Sequence, residues 1–190
     1  MSPAFDTNMK IFVITGGPCS GKTEVVNELK RRGYYVVREV ALYLIEKEAK
    51  NKGNIFPWTN IKKFMDRVYK LQVIWEKKIP KTKNTAILDR SLIDCVAYYD
   101  NNGIITPREL EKAIHKVNYD KIFFLEMLPK KYWNKTKGGK PRGQTYEQGQ
   151  KLHKKIKEVY KKYKQDILQI SFMSIRQRTD IIEKHILSKK

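Results

Sequence analysis

The sequence predicts a three-layer α/β fold, with a parallel sheet of about five strands between helices. Three observations point to it. Its β-rich segments are short continuous apolar runs, such as Lys10–Thr15, 85–88 and Lys121–Leu125, without alternation of apolar and polar residues. Such runs belong to strands buried on both faces. Segments with apolar residues at helical spacing separate them, so strand and helix alternate along the chain. A glycine-rich turn, not a hairpin, follows the first run.

Residues 1–9 read as a flexible lead without the basic start and apolar core of a signal peptide. Lys10–Thr15 is the first strand. Residues 23–32 form a helix with Val25, Val26 and Leu29 on one side, and Gly33 suits its C-cap. Residues 34–37, Tyr-Tyr-Val-Val, make a second strand that ends near Arg38 and Glu39. Val40–Lys50 carries a helical stripe at 40, 41, 44 and 45, and Gly53 and Pro57 punctuate the loop after it. Residues 59–79 read as a long helix, buried through Ile61, Phe64, Met65, Val68 and Leu71, and Pro80 ends it.

The third strand, 85–88, runs into Asp89, Arg90 and Ser91, and residues 93–99 are helical. Thr106 and Glu109 form a capping-box pattern with Pro107 at the first helical position, opening a helix to about 117. Lys121–Leu125 is the fourth strand. Residues 130–143 are glycine-rich, basic and aperiodic, hence a loop. A long basic helix follows over 146–164, then a short strand at Ile167–Ile170. Ser174 with Gln177 caps a last helix through 187. The expectation is a lead over 1–9 and a single domain over 10–190.

No apolar run approaches the ~20 residues that span a bilayer. The two cysteines, Cys19 and Cys95, form neither a disulfide framework nor a metal spacing, and a reducing, cytoplasmic setting is expected. His115, His153 and His185 show no metal or catalytic pattern. The net charge of +20 predicts attraction to polyanions such as RNA, DNA, anionic lipid or phosphorylated small molecules. It is concentrated: residues 130–164 hold thirteen basic and two acidic residues. A solvated helix face is the plainer reading of that segment.

The turn after the first strand, Gly16-Gly17-Pro18-Cys19-Ser20-Gly21-Lys22-Thr23, is a complete G-x-x-x-x-G-K-T phosphate-binding loop. Strand, glycine loop and helix follow each other as that motif requires. Glycines let the backbone curl until its N–H groups face phosphate oxygens, and the helix N-terminus adds its positive dipole end. Lys22 is expected on the β- and γ-phosphates and the Thr23 hydroxyl on Mg²⁺. Asp89 ends an apolar run as a Walker B carboxylate does, and would hold Mg²⁺ beside Thr23. Arg90 has the planar fork to clamp a phosphoryl group, though a surface salt bridge would also explain it. Glu39 lies across the crevice, where a kinase needs a group to deprotonate its acceptor hydroxyl. It would equally serve as a cap on the next helix. Arg38 beside it would hold an acceptor phosphate.

The stretches Ile14 to Thr23, Gly33 to Glu39 and Leu88 to Tyr99 together resemble the AAA-domain P-loop family related to the ribosylnicotinamide-kinase domain. More distantly they resemble deoxynucleoside and thymidylate kinases, and the resemblance covers most of residues 10–187. Those kinases place an acidic residue after the second strand and an acid–Arg pair after the third, positions taken here by Glu39 and Asp89-Arg90. The resemblance implies a lid at about 130–145, with Lys137, Lys140 and Arg142 in it and Arg142 reaching the transferring phosphoryl group. No Asp lies between Lys130 and Arg142, where relatives often carry one. Gln72 resembles the Gln that pairs with a base in nucleoside kinases, although a solvent-facing helix residue is the simpler reading. Phe56, Trp58, Tyr98 and Tyr99 would either stack an acceptor ring or fill core.

The expected function is therefore Mg²⁺-dependent transfer of the γ-phosphoryl of ATP or GTP to a hydroxyl of a nucleoside, nucleotide or nucleic-acid-like acceptor. The alternative is a nucleotide-dependent binding module, slow in hydrolysis, docking on a polyanion through its basic lid and helix. Neither reading fixes an oligomeric state.

Overall fold

The computed structural model describes residues 9–135 and 145–188. Five strands form one sheet: β1 (Lys10–Thr15), β2 (Tyr35–Val37), β3 (Thr85–Asp89), β4 (Lys121–Leu125) and β5 (Ile167–Ile170), in the order β2-β3-β1-β4-β5. Every neighbouring pair is parallel, with Val13 beside Leu88 on one side and Ile122 on the other.

The continuous apolar runs have their reason in the two cores. Phe12, Ile14, Ile87, Phe123 and Leu125 point to one face, and Ile11, Val13, Ala86, Leu88, Ile122 and Phe124 to the other. The first face is covered by α1 (Lys22–Arg31) and α7 (Ile175–Ser188), through Val25, Leu29, Ile182 and Ile186. The second is covered mainly by α3 (Ile61–Lys77), α4 (Leu92–Asn101) and α6 (Tyr146–Lys162), through Phe64, Val96, Ile156 and Tyr160. Each fully buried apolar side chain contributes roughly 1.5–3 kcal/mol. An alternating strand would bury only half as many.

Two further helices, α2 (Val40–Lys50) and α5 (Arg108–Ile114), flank the second core. The connection leaving β1 leads to the β2 edge and that leaving β4 to the β5 edge. The strand order therefore reverses beside β1, where sheets of this kind take ligands beyond their carboxyl ends.

Three local expectations are corrected. The long helix starts at Ile61 and not at 59, because Thr59 Oγ1 donates to Asn54 O at 2.6 Å in the preceding turn while Asn60 caps Lys63 N at 3.0 Å. The capping box at Thr106 does not form; Pro107 is itself the extended N-cap, and its carbonyl accepts from Leu110 and Glu111. Residues Lys130–Lys135, expected as loop, form a 3-10 helix. Trp133 anchors it, packed edge-on to Tyr146 at 5.5 Å and so close to Gly149 that a Cβ there would sit 2.5 Å from the indole. Lys137, Lys140 and Arg142 lie outside the described residues. Among the described residues, no helix is long and apolar enough to cross a membrane.

Candidate active site

Backbone conformation makes the loop after β1. Gly16 has φ 138°, and a Cβ there would lie 2.4 Å from Leu125 O, so only glycine passes this point. Gly21, at φ 78°, turns the chain into α1. Inside the curl, Lys22 Nζ donates to Gly17 O at 2.7 Å and Ser20 Oγ at 3.1 Å, and Ser20 Oγ donates to Gly17 O at 3.0 Å. Thr23 is exposed on the first turn of α1. Pro18 approaches Gly149 of α6, and Cys19 O accepts from Leu128 N at 2.9 Å.

Side chains from distant elements hold the loop from outside. His153 of α6 accepts from Gly17 N through Nδ1 at 3.0 Å, and its Nε2 lies 3.3 Å from Glu126. Burial lowers the His153 pKa, against the pull of Glu126, which favours the neutral ring that this hydrogen bond requires. Arg178 of α7 is fully buried and donates to Ser20 O, to Ser171 O at 3.0 Å and to Glu126 O at 3.2 Å.

Beside the loop stands a buried charge cluster. Arg90 follows β3 in a left-handed conformation, φ 72°, which a non-glycine residue adopts only at a local energetic cost. That turn aims its guanidinium across the crevice. Nε donates to Glu39 Oε1 at 3.2 Å, and Nη1 donates to Asp94 Oδ1 at 3.0 Å and Gly16 O at 3.2 Å. The Tyr98 ring lies 5.5 Å away. Burial works against the Arg90 charge, but Tyr98, Glu39 and Asp94 hold its pKa well above the usual value. Arg90 is thus a buried bridge, not a surface salt bridge. Glu39 is the N-cap residue of α2 but makes no side-chain capping bond, so the capping role is not the one it takes.

Asp94 anchors the arrangement. It accepts from Thr15 Oγ1 at 2.5 Å, Tyr160 OH at 2.5 Å, Ser91 N at 2.9 Å and Arg90. Burial, and then Arg90, lower the Lys22 pKa; burial, and then Glu39, raise that of Asp89. Both groups are therefore held in a site that disfavours bare charge, and bound ionic groups would relieve it.

The donor set fits Mg²⁺. Asp89 Oδ1 is buried and has no hydrogen-bond partner among the described residues, a costly state for a carboxylate oxygen unless a ligand takes it. The Thr23 hydroxyl is the second oxygen expected there. Among the described residues no three His, Cys, Asp or Glu gather as a metal cluster. Mg²⁺ requires no such cluster, since one or two carboxylates with phosphates and water suffice.

On the far side of Glu39 and Arg90 opens a cavity of about 150 Å³, walled mostly by apolar side chains of α2, α3 and α4. Trp58, Phe64, Gln72 and Tyr98 line it together with Glu39 and Arg90. Gln72 is 2% exposed, which overturns the solvent-facing reading. Trp58 stacks on Phe56 at 4.9 Å, whereas Tyr99 is core, its hydroxyl on Asp66 at 2.5 Å. Arg38 stays outside, half exposed and paired with Glu46 at 2.5 Å.

The structure thus brings together Gly16, Gly17, Pro18, Cys19, Ser20, Gly21, Lys22, Thr23, Glu39, Asp89 and Arg90, with Gln72 in the adjoining cavity. Arg142 lies outside the described residues. Sequence reasoning missed Asp94, His153 and Arg178. A signal existed for Asp94, since Ser91-x-x-Asp94 is a capping box and forms as one.

The AAA domain family model matches residues 11–178. No curated protein matches the chain. Among solved structures, deoxyadenosine kinase from M. mycoides, with dCMP and a flexible dCDP bound, is 17% identical with TM-score 0.64, over 95% of this chain and 100% of that one. Thymidylate kinase from Ehrlichia chaffeensis is 15% identical with TM-score 0.66, over 94% and 99%. The NadR protein in complex with NAD and AMP-PNP is 14% identical with TM-score 0.68; 93% of this chain covers 49% of that one. At such identities the likeness is one of fold. The chain belongs to the AAA domain family and has the α/β fold of the P-loop nucleoside and nucleotide kinases.

Proposed function

We propose that the protein is a Mg²⁺-dependent kinase that moves the γ-phosphoryl of ATP or GTP to a hydroxyl of a nucleoside or nucleotide held in the cavity of α2, α3 and α4. One observation carries this reading. Arg90 touches the phosphate loop at Gly16 O and the cavity carboxylate Glu39 through one guanidinium, so donor and acceptor sites share a wall.

Catalysis in this reading is positioning and charge neutralisation. The loop from Gly16 to Thr23 cradles the phosphates, and Lys22 leaves Gly17 O for the β- and γ-oxygens. Thr23 and Asp89 hold Mg²⁺, which supplies neutralisation of charge on the phosphoryl oxygens. Glu39 orients the acceptor hydroxyl and takes its proton as the phosphoryl group arrives, and Arg90 stabilises the charge between them. Arg142 is assigned to the transferring phosphoryl group. An arginine in that role is worth ~10³–10⁵ in rate. The test is a screen with γ-labelled ATP and GTP against nucleosides, nucleotides, RNA and DNA ends, in which label should move to a small acceptor.

A second reading rests on α6, whose Lys151, Lys154, Lys161 and Lys162 are exposed. It is a nucleotide-dependent module docking on a polyanion. That reading requires binding whose affinity falls steeply with salt, as several phosphate contacts demand. It also requires that no acceptor take the label.

A further inference from the structure

The phosphate loop meets α6 where glycine clears the way. A Cβ on Gly17 would lie 2.7 Å from His153 Cβ, and a Cβ on Gly149 would lie 3.2 Å from Pro18. Backbone and imidazole thus come close enough for Gly17 N to donate to His153 Nδ1 at 3.0 Å. An Nδ1 that accepts carries no proton, so the ring is the neutral tautomer with its hydrogen on Nε2. Glu126 stands where that hydrogen points, 3.3 Å from Nε2. The carboxylate therefore selects the tautomer, and the ring in turn fixes the direction of the Gly16–Gly17 peptide. The other side of Gly17 is held differently. Its carbonyl accepts from Lys22 Nζ at 2.7 Å and from Ser20 Oγ at 3.0 Å, and a Lys22 that takes a phosphate oxygen must turn away from it.

We propose that His153 is a positioning residue for the nucleotide: neutral, it holds the Gly16–Gly17 peptide in the shape of the cradle, and a proton on Nδ1 releases that peptide, so that a proton taken up outside the cradle gates nucleotide affinity. The inference rests on nucleotide binding by the loop, the first step of the reading above. It adds a control that neither the metal site nor the acceptor cavity contains. An imidazolium is a donor at both nitrogens. It would set Nδ1–H against Gly17 N–H, two donors facing each other. A buried amide left without its acceptor weakens binding by the loop roughly ten-fold. The charged groups that face the ring oppose one another. Burial disfavours the imidazolium most; Glu126, after β4, favours it, and Lys22 of α1 and Lys157 of α6 disfavour it. Phe124 of β4 packs on the ring at 4.6 Å and adds no charge. Release therefore falls below the ordinary histidine value of 6.5, and at neutral pH the peptide is held.

Two variants of nearly one shape separate the hydrogen bond from the packing. His153→Asn places an amide oxygen where Nδ1 stands and does not titrate, whereas His153→Leu keeps the bulk without an acceptor. The probe is a fluorescent ADP with saturating Mg²⁺, titrated onto the full chain at about pH 7.5 and about pH 5, on either side of the histidine range. Thermal unfolding first establishes that each protein is folded at both. At the higher pH the native protein and His153→Asn should bind within a few-fold of each other, and His153→Leu about ten-fold more weakly. At the lower pH the native protein should lose about ten-fold relative to His153→Asn, a ratio in which the titrations of Lys22, Asp89 and the probe cancel. NMR of the imidazole nitrogens should find Nδ1 bare at the higher pH. Equal affinity of all three proteins there overturns the positioning role; if His153→Leu does not fold, the ratio of native protein to His153→Asn decides alone. A ratio that stays constant with pH overturns the gate. So does one that rises at low pH, the mark of a positive charge simply added beside the phosphates. A proton on Nδ1 at the higher pH overturns the hydrogen bond itself. Each of these leaves the kinase reading standing, whereas no binding by the native protein at either pH overturns the inference together with that reading.

Discussion

The Arg90 guanidinium lies 3.2 Å from Glu39 Oε1, and both side chains are about nine-tenths buried. A pair that dry is held by mutual need, because removing one charge leaves the other uncompensated. Arg90 keeps Asp94 as a second acid, so losing Glu39 alone should be survivable. Glu39→Gln is expected to fold, to bind nucleotide as the native protein does, and to lose about 10²–10⁴ in phosphotransfer rate, the usual contribution of a general base. Arg90→Ala should cost about 3–5 kcal/mol of stability, since it strands two buried carboxylates. Chemical denaturation of both variants checks the contrast.

Gly16→Ala should fail where the loop meets β4. The added Cβ would sit 2.4 Å from Leu125 O, at a φ of 138° that L-residues avoid. A loss of about 2 kcal/mol or more in stability is expected, with nucleotide binding reduced further because the cradle itself must shift. Fluorescent-nucleotide titration and thermal unfolding read the two effects separately.

Asp89→Asn should uncouple metal from nucleotide. The native protein is expected to bind ATP more tightly with Mg²⁺ than with EDTA. The variant should bind alike under both conditions, because the buried carboxylate oxygen without a partner has gone. Without nucleotide the variant should be no less stable than the native protein, since burial already penalises the Asp89 charge.

Glu76 gives a pH signature in stability. Burial pushes its carboxyl up to about 7 from 4.5, against the hydrogen bonds from Gln72 and Tyr119. The folded state therefore holds a proton that the unfolded chain has released between those values. Its stabilisation is complete below pH 4.5 and is lost as pH rises through 7, on the order of 3 kcal/mol in full. The stability difference between native protein and Glu76→Gln should fall across that window and level off above it, as denaturant titrations at several pH values would record.

The fold was legible where local physics decides it. β1, β4, β5 and α2 lie where the apolar runs and stripes placed them, and in β1 and β4 burial on both faces leaves no competing pattern. The phosphate loop was legible for the same reason: its eight residues are contiguous and their backbone makes the site. The supports of that loop were not. Asp94 reaches Thr15 across 79 positions, His153 reaches Gly17 across 136, and Arg178 reaches Ser20 across 158. No spacing rule links residues that only the sheet order brings together. Gln72 shows the opposite limit. Its helical position was readable, but the burial of that face depends on α4 and on the turn after β3, which a helix pattern does not contain.

The central claim is that Glu39 and Arg90 form the wall between an NTP site and an acceptor site. The most direct measurement is transfer of label from γ-labelled ATP or GTP across a nucleoside and nucleotide panel, run with the native protein and Glu39→Gln side by side. The account predicts a labelled phosphorylated acceptor with the native protein, and a rate at least about a hundred-fold lower with Glu39→Gln at unchanged nucleotide affinity. Release of label only as inorganic phosphate, at the same rate in both proteins, would contradict it.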